Sequence, residues 1–516
     1  MKKTFILFMA VCLGYLSPGF AQDNKQVVEA IIKEATENSQ LEKLGHELLD
    51  VIGPRLVGTP EMKNAHDWAV NTYKGWGIPA ENQQYGTWRG WQRGITHIDL
   101  IEPRVRSLNG MQLAWSPGIK KPVVAEVVLL PEAQDSVSFS KVLSQVKGKL
   151  VMVSMPQMTG RPDYNWEEFA TEESFEKMKN DRSEQEKSWR EKMNNTGYNA
   201  RTLIAALENA GAAGIITLNW SRGFGANKVF SASTKKIPTV DLSLEDYGMV
   251  YRLAQHGSKP KLRIAAESKD LGEVPAFNTI ATIKGSEKPE EYIILSAHFD
   301  SWDGATGATD NGTGTMVMME AMRILKEVYP NPKRTIIAGH WGSEEQGLNG
   351  SRAYVKDNPE IVENMQALFN QDNGTGRVVN ISGNGFLHAY DYIGRWLEAV
   401  PREYKNEIET NFPGTPAGGG SDYASFVAAG APAFSLSSLN WSYWNYTWHT
   451  NLDTYDKIVF DDVRSNAILT AILTYMASED PETTSRERAV LPINPRTGEQ
   501  MTWPEPRDGT RRGGLD

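Results

Sequence analysis

Cysteine is almost missing from this chain: Cys12 is the only one among 516 residues. It falls in a segment that reads as a removable leader, so no disulfide, thiol nucleophile or thiolate ligand is expected beyond it. Any metal site must then be built from His, Asp and Glu. Long apolar runs are also lacking. The run from Phe5 to Leu16 is too short for a membrane span, which needs roughly 20 residues. With Lys2 and Lys3 before it and the small residues Gly19 and Ala21 behind it, it has the layout of a secretory signal over residues 1–21. The expectation is export to the periplasm or beyond, with no membrane span once the leader is cut. Basic charge is in deficit: 54 Lys and Arg stand against 64 Asp and Glu, for a formal net charge of −10. Binding to a phosphate backbone needs clustered positive charge, so a nucleic-acid partner is excluded.

What is present suffices for a folded protein. The hydrophobic fraction is 40% and the charged fraction 23%, near the averages of soluble globular chains. The length exceeds one ordinary core and implies two domains, one of them inserted in the other. Val28, Ile31, Ile32, Leu41, Leu44, Leu48 and Leu49 recur at helical spacing and predict a helix pair broken near Asn38 and Ser39. Gly53 to Pro60 reads as a loop, and Glu61 to Trp76 as an amphipathic helix.

Composition shifts near Pro117-Gly118. Val123 to Leu130 and Lys149 to Met155 read as strands, Leu203 to Leu207 as a helix and Gly211 to Leu218 as a further strand. Residues 157–200 are heavily charged and read as a solvated helical excursion. After Pro275, the continuous apolar run Tyr292 to Ala297 predicts a strand buried on both faces. Thr315 to Val328 follows as a helix, and Arg334 to Ala338, Ala367 to Asn370 and Ala433 to Leu436 repeat the strand signal. Alternation of this kind predicts an α/β fold with a mostly parallel sheet, whose functional residues gather at the carboxyl ends of its strands. The tail from Pro492 lacks periodicity and reads as an extended or mobile end.

Those strand ends carry the chemistry. His298 and Asp300 follow the first, with Asp310 beyond a Gly-rich loop; Glu344 and Glu345 follow the second, and Asp372 the third. His449 comes later, in Trp448-His449-Thr450. One histidine or one pair of glutamates means little, and His46, His66, His97, His256, His340 and His388 are read as ordinary surface or core residues. Two imidazoles and three carboxylates after consecutive strand ends are different. Such a set suits two zinc ions about 3.5–4 Å apart with one carboxylate bridging them. Asp300 is placed to accept the second imidazole N–H of His298, and Asp453 to do the same for His449. Glu344 and Glu345 diverge as neighbours, so one can bind metal while the other serves as general base.

The blocks Ser296-Ala297-His298-Phe299-Asp300-Ser301-Trp302-Asp303, Gly307-Ala308-Thr309-Asp310-Asn311-Gly312, Ser343 to Ser351 and Trp448-His449-Thr450 resemble those of the co-catalytic zinc peptidases. That family includes bacterial leucyl aminopeptidases, carboxypeptidase Q and glutamate carboxypeptidase. The first block and the aromatic run Trp441 to Trp448 resemble the carboxypeptidase Q branch most. The resemblance implies that His298 and Asp372 hold one zinc, that Glu345 and His449 hold the other, and that Asp310 bridges. It further implies Asp300 as supporting residue, Glu344 as general base and a cis peptide at Asp310-Asn311. Tyr423 after Ser421-Asp422 departs from the His that many aminopeptidases carry there.

The expected architecture follows: a signal over 1–21, a three-layer zinc-peptidase domain over 22–114 and 271–485, a smaller α/β protease-associated insert over 115–270, and a tail over 486–516. The expected activity is di-zinc exopeptidase action on dipeptides or short peptides from a free N-terminus. A glutamate-carboxypeptidase-type enzyme, a one-zinc amidohydrolase or glutaminyl cyclase, and a metal-free binding protein are the alternatives. A peptide is the expected partner, and a homodimer is a candidate assembly. For end recognition, Asp303, Asp422 and Asp453 are the nearby acids and Arg352 and Arg377 the nearest bases in sequence.

Overall fold

The apolar run around Tyr292 becomes the centre of the molecule. In the computed structural model, which describes residues 18–515 with side chains from residue 24 onward, strand Lys288–His298 lies between Arg334–Trp341 and Met365–Gln371, parallel to both. Ile293, Ile294, Leu295 and Ala297 are fully buried, as a strand covered on both faces requires. Ala433–Ser438 continues the parallel run beyond Met365–Gln371, Val378–Ser382 follows antiparallel, and Glu409–Asn411 forms the edge parallel to it. The expected leader at residues 1–21 lies outside the described residues, apart from the backbone of 18–21.

Chain order explains the layers. From Lys288–His298 the chain crosses to one neighbour through helix Thr313–Val328, then back past it to the other neighbour through helix Asn349–Asp357. Right-handed crossovers in opposite directions put these helices on opposite faces. Helix Phe460–Glu479 packs beside Thr313–Val328 together with helix Pro18–Glu37. Helix Pro60–Gly75, capped by the Thr59 hydroxyl, which accepts from the Met62 N–H at 3.2 Å, matches the expected amphipathic segment. The strand order reverses at His298, and a reversal of this kind opens a crevice at the carboxyl ends of the strands.

A second sheet runs Val123–Leu129, Leu150–Met152, Gly214–Thr217, Thr239–Leu242, all parallel. It has its own apolar cores, one around Val127, Ile216, Val240 and Tyr247 and one around Phe139, Val151 and Leu203. Ile98, Leu100 and Leu108 join the first of these, so this core extends earlier in the chain than residue 115. The reason is a ribbon that serves both sheets: Ala80–Glu102 and Lys261–Ile283, 23 residues each, pair antiparallel. One end of Lys261–Ile283 pairs with Val123–Leu129 and the other with Arg334–Trp341. The charged excursion forms helix Glu172–Asn195, in which only Met178 is buried.

The tail is extended, as expected, but it is held in place along its length. Trp503 packs edge-on against Phe386 at 5.5 Å and donates its Nε1–H to the Val427 carbonyl at 3.0 Å. Arg511 forms a fork with both Asp357 oxygens at 2.8 and 2.9 Å. Arg512–Gly513 adds a short parallel strand to Thr87 and Trp88. Composition alone could not show this, because aperiodic sequence says nothing about which carbonyls and carboxylates elsewhere will meet its arginines and tryptophan.

Candidate metal centre

His298 is the last residue of its strand, and its imidazole is buried between two carboxylates. Nε2 lies 3.0 Å from Asp372 Oδ1 and 3.4 Å from Asp310 Oδ1. On the other side, His449 Nε2 lies 2.8 Å from Glu345 Oε2 and 3.5 Å from Asp310 Oδ2. Asp310 therefore turns one oxygen to each histidine. Two groups of ligand atoms result, His298, Glu344 and Asp372 in one and Asp310, Glu345 and His449 in the other, each within 4.8 Å of one another. All five expected ligands and Glu344 thus meet at one sheet edge.

The loops that deliver them are fixed by buried polar contacts. Asp310 sits in the turn Ala308–Gly312, and its peptide bond to Asn311 is cis. The Asp453 carboxylate accepts from the Thr309 and Asp310 N–H groups at 2.8 and 3.0 Å. It thus orients Asp310 rather than His449, whose Nδ1 has no partner within the described residues. Asp300 also differs from expectation. Its backbone carbonyl, 2.9 Å from His298 Nδ1, takes the imidazole N–H, while its carboxylate stands 3.7 Å away. That carboxylate instead accepts from the N–H groups of Glu344 at 3.0 Å and Glu345 at 3.2 Å. The glutamate turn is bounded by left-handed residues, Ser343 at φ 53° and Leu348 at φ 57°. A carboxylate beneath two successive N–H groups is what holds such a turn.

Arg55 has no signal in the sequence beyond its place in a Gly- and Pro-rich loop. It is fully buried, and its guanidinium donates to the carbonyls of Phe299 at 2.8 Å, Thr306 at 2.7 Å and Gly307 at 2.9 Å. It braces the whole loop between His298 and Asp310. The second sheet also reaches the centre: the Val229 N–H donates to the His449 carbonyl at 2.7 Å, and Phe230 meets the His449 ring edge-on at 5.5 Å. Trp448 stacks on His449 at 4.0 Å, with Lys228 3.8 Å above the Trp448 ring.

The electrostatics are those of crowded acids. Burial pushes the Glu344 and Glu345 carboxyls well above the ordinary range, helped by neighbouring carboxylates. Burial likewise raises Asp453 to about 7 and Asp422 to about 8. Burial acts to lower His298, but the Asp372 charge and hydrogen bonds to Asp300, Asp310 and Asp372 overcome it and hold it well above 6.5. Asp310 Oδ2, Glu345 Oε1 and His449 Nδ1 are buried without a hydrogen-bond partner. Two imidazoles, three carboxylates and orphaned buried oxygens fit a pair of divalent ions, because buried unpaired carboxylates are otherwise costly.

His66 and His340 are bystanders. They bond Thr279 at 2.8 Å and Tyr73 at 2.7 Å, and burial lowers both to about 3, so they stay neutral. Of the candidate recognition residues, Asp303 is paired with Arg93 at 2.7 Å and Arg377 with Glu407. Asp422 is buried with neither oxygen bonded.

A doubly covered, mostly parallel sheet with two His and carboxylate groups at its switch point defines a metal-dependent hydrolase. Residues 278–474, the segment that carries every candidate ligand, match the model of peptidase family M28. It is 25% identical over 469 residues to carboxypeptidase Q of Mus musculus, covering 89% of this chain and 90% of that protein. The fold is similar to a Peptidase M28 precursor from Shewanella amazonensis SB2B, with TM-score 0.65 and 22% identity over 90% of this chain and 99% of the other. BSAP, a zinc aminopeptidase from Bacillus subtilis, gives TM-score 0.54 and 18% identity over 87% and 97%.

Proposed function

We propose that the chain is an exported di-zinc exopeptidase that hydrolyses dipeptides or short peptides with a free N-terminus. The observation that carries this reading is the division of Asp310 between His298 and His449, with Asp372 and Glu345 completing the two ligand groups. When bound, the two ions lower the pKa of a shared water and polarise the scissile carbonyl. His298 and Asp372 would hold one, Glu345 and His449 the other, with Asp310 placed between them.

Glu344 is the general base: it takes the proton of the attacking water and returns it to the departing amine. Asp300 aims Glu344 and Glu345 together through their N–H groups, so the base and a ligand keep a fixed relation. Export rests on the leader read at residues 1–21. Among the described residues no helix is long and apolar enough to cross a membrane. The peptidase domain is assigned to residues 22–114 and 271–485, and the insert, at 115–270, shapes the cleft through Lys228 and Phe230 beside His449.

A free N-terminus is favoured because the surroundings of the centre are acidic, with unpartnered oxygens outside the ligand set on Asp303 and Asp422. An N-acetyl group would replace the ammonium and leave such an acceptor unpaired, at a cost of about 1–3 kcal/mol, or roughly 5- to 150-fold. A dipeptide panel with free and acetylated N-termini tests this, the free peptides being cut faster by that factor. Efficient removal of C-terminal residues from acetylated peptides would contradict the reading.

A further inference from the structure

The turn that carries Glu344 and Glu345 is closed at its base by one buried side chain. Asn349 Nδ2 donates to Ser343 Oγ at 3.0 Å and to the Gln346 carbonyl at 3.2 Å. The Asn349 backbone N–H adds a bond to the Ser343 carbonyl at 3.1 Å. The left-handed backbone at Ser343 and Leu348 persists only where surrounding bonds hold it, and Asn349 supplies them.

The amide can do this in one orientation only. Flipped, it would set Oδ1 against the Gln346 carbonyl, two acceptors with no proton between them. The C-terminal strap decides the orientation: the Thr510 N–H donates to Asn349 Oδ1 at 2.7 Å, and of the two amide atoms only the oxygen can accept it. The strap is built to reach that point. A Cβ at Gly509 would fall 2.1 Å from the Asn349 carbonyl oxygen, and a Cβ at Gly86 would fall 2.3 Å from the Arg511 carbonyl oxygen. That Arg511 oxygen accepts from the Thr87 N–H at 2.8 Å. The Arg511 side chain donates to the Tyr85 carbonyl at 3.1 Å and forks onto Asp357, the last residue of the helix that Asn349 begins. The strap thus grips this helix at both ends and is itself fastened to the long ribbon.

We propose that Asn349 is a positioning residue for Glu344 and Glu345, and that residues 509–511 of the strap set it by fixing the orientation of its amide. The inference rests on the peptidase reading for the tasks of the two glutamates, and on the contacts alone for the link between strap and turn. A chain whose strap is displaced keeps every ligand and the base, but loses the fixed relation between them.

Two variants of the full chain test this. Gly509→Val displaces the strap and leaves each turn residue in place, whereas Asn349→Asp keeps the acceptor for Thr510 and removes the donors to Ser343 and Gln346. Hydrogen exchange on metal-free protein reads the link directly: the Glu344 and Glu345 N–H groups should exchange roughly tenfold faster in both variants, with strand residues 292–297 unchanged. In zinc titrations the affinity of the Glu345–His449 site should fall by about 10- to 100-fold, and kcat on a free dipeptide by a similar factor with KM within about twofold. The visible absorption of the cobalt-loaded protein should change in both variants. Unchanged exchange at 344–345 and unchanged zinc affinity in Gly509→Val overturn the proposal. Exchange that rises equally at 292–297 also overturns it, because that marks general loosening rather than positioning. Should Gly509→Val not fold, Thr510→Pro, which removes the strap's one N–H donor to Asn349, takes its place with the same expected results. An unaltered chain that neither binds zinc nor cuts dipeptides is failure of the peptidase reading, and the exchange measurement then decides the link by itself.

Discussion

Asp310 shares its two oxygens between two imidazoles, and Asp300 holds two successive glutamate N–H groups. These two aspartates separate the roles of adjacent residues: Glu345 faces His449 and Asp310, while Glu344 faces His298 and Asp372. Glu344→Gln should therefore lower kcat by about 10²- to 10⁴-fold with metal content unchanged, since the amide keeps the shape and loses the base. Glu345→Gln should instead lose metal from the His449 side. Metal analysis alongside turnover checks both, and exchanged phenotypes would reverse the assignment. At this scale the candidate ligands could be picked out in the sequence because His298, Glu345 and Asp372 stand at or just after strand ends, with Asp310 and His449 in loops further on. The tasks of Asp300 and Asp453 were not. Which N–H groups a carboxylate meets depends on how the loops at 309–310 and 344–345 fold back, and spacing along the chain does not encode that.

At the scale of elements, the site depends on segments distant in sequence. Strand periodicity showed the central sheet, and Tyr292–Ala297 is buried as its apolar run predicts. Arg55 was illegible because a buried arginine has the same letter as an exposed one; its meaning comes from the three carbonyls that the 299–307 loop presents to it. The segment Val229-Phe230 was illegible for a related reason, since only the ribbon's reach brings the second sheet back to His449. Phe230 packs against both His449 and Trp302, at 5.5 Å each, and limits the rotation of a ligand whose Nδ1 is otherwise unrestrained. Phe230→Ala should weaken metal binding at the Glu345–His449 site by about 10- to 100-fold, as loss of groups behind a ligand typically does. The His298–Asp372 site should be little changed. A metal titration resolving two affinities would show this, and two unaltered affinities would mean that the insert does not support the centre.

For the whole molecule, two cores share one long ribbon, and the tail returns across the catalytic edge to pair with it at Thr87 and Trp88. The second sheet's loop reaches His449 through the Val229 N–H, and the strap is tied to Asn349, where the helix after the glutamate turn begins. None of this organisation has a purpose unless the carboxylates at its centre are neutralised by metal, and that is the central claim. Its most direct test is metal stoichiometry coupled to activity on the purified full chain. Close to two zinc ions per chain are expected, with loss of dipeptide hydrolysis on chelation and recovery on adding zinc or cobalt. Full hydrolysis by metal-free protein would contradict it.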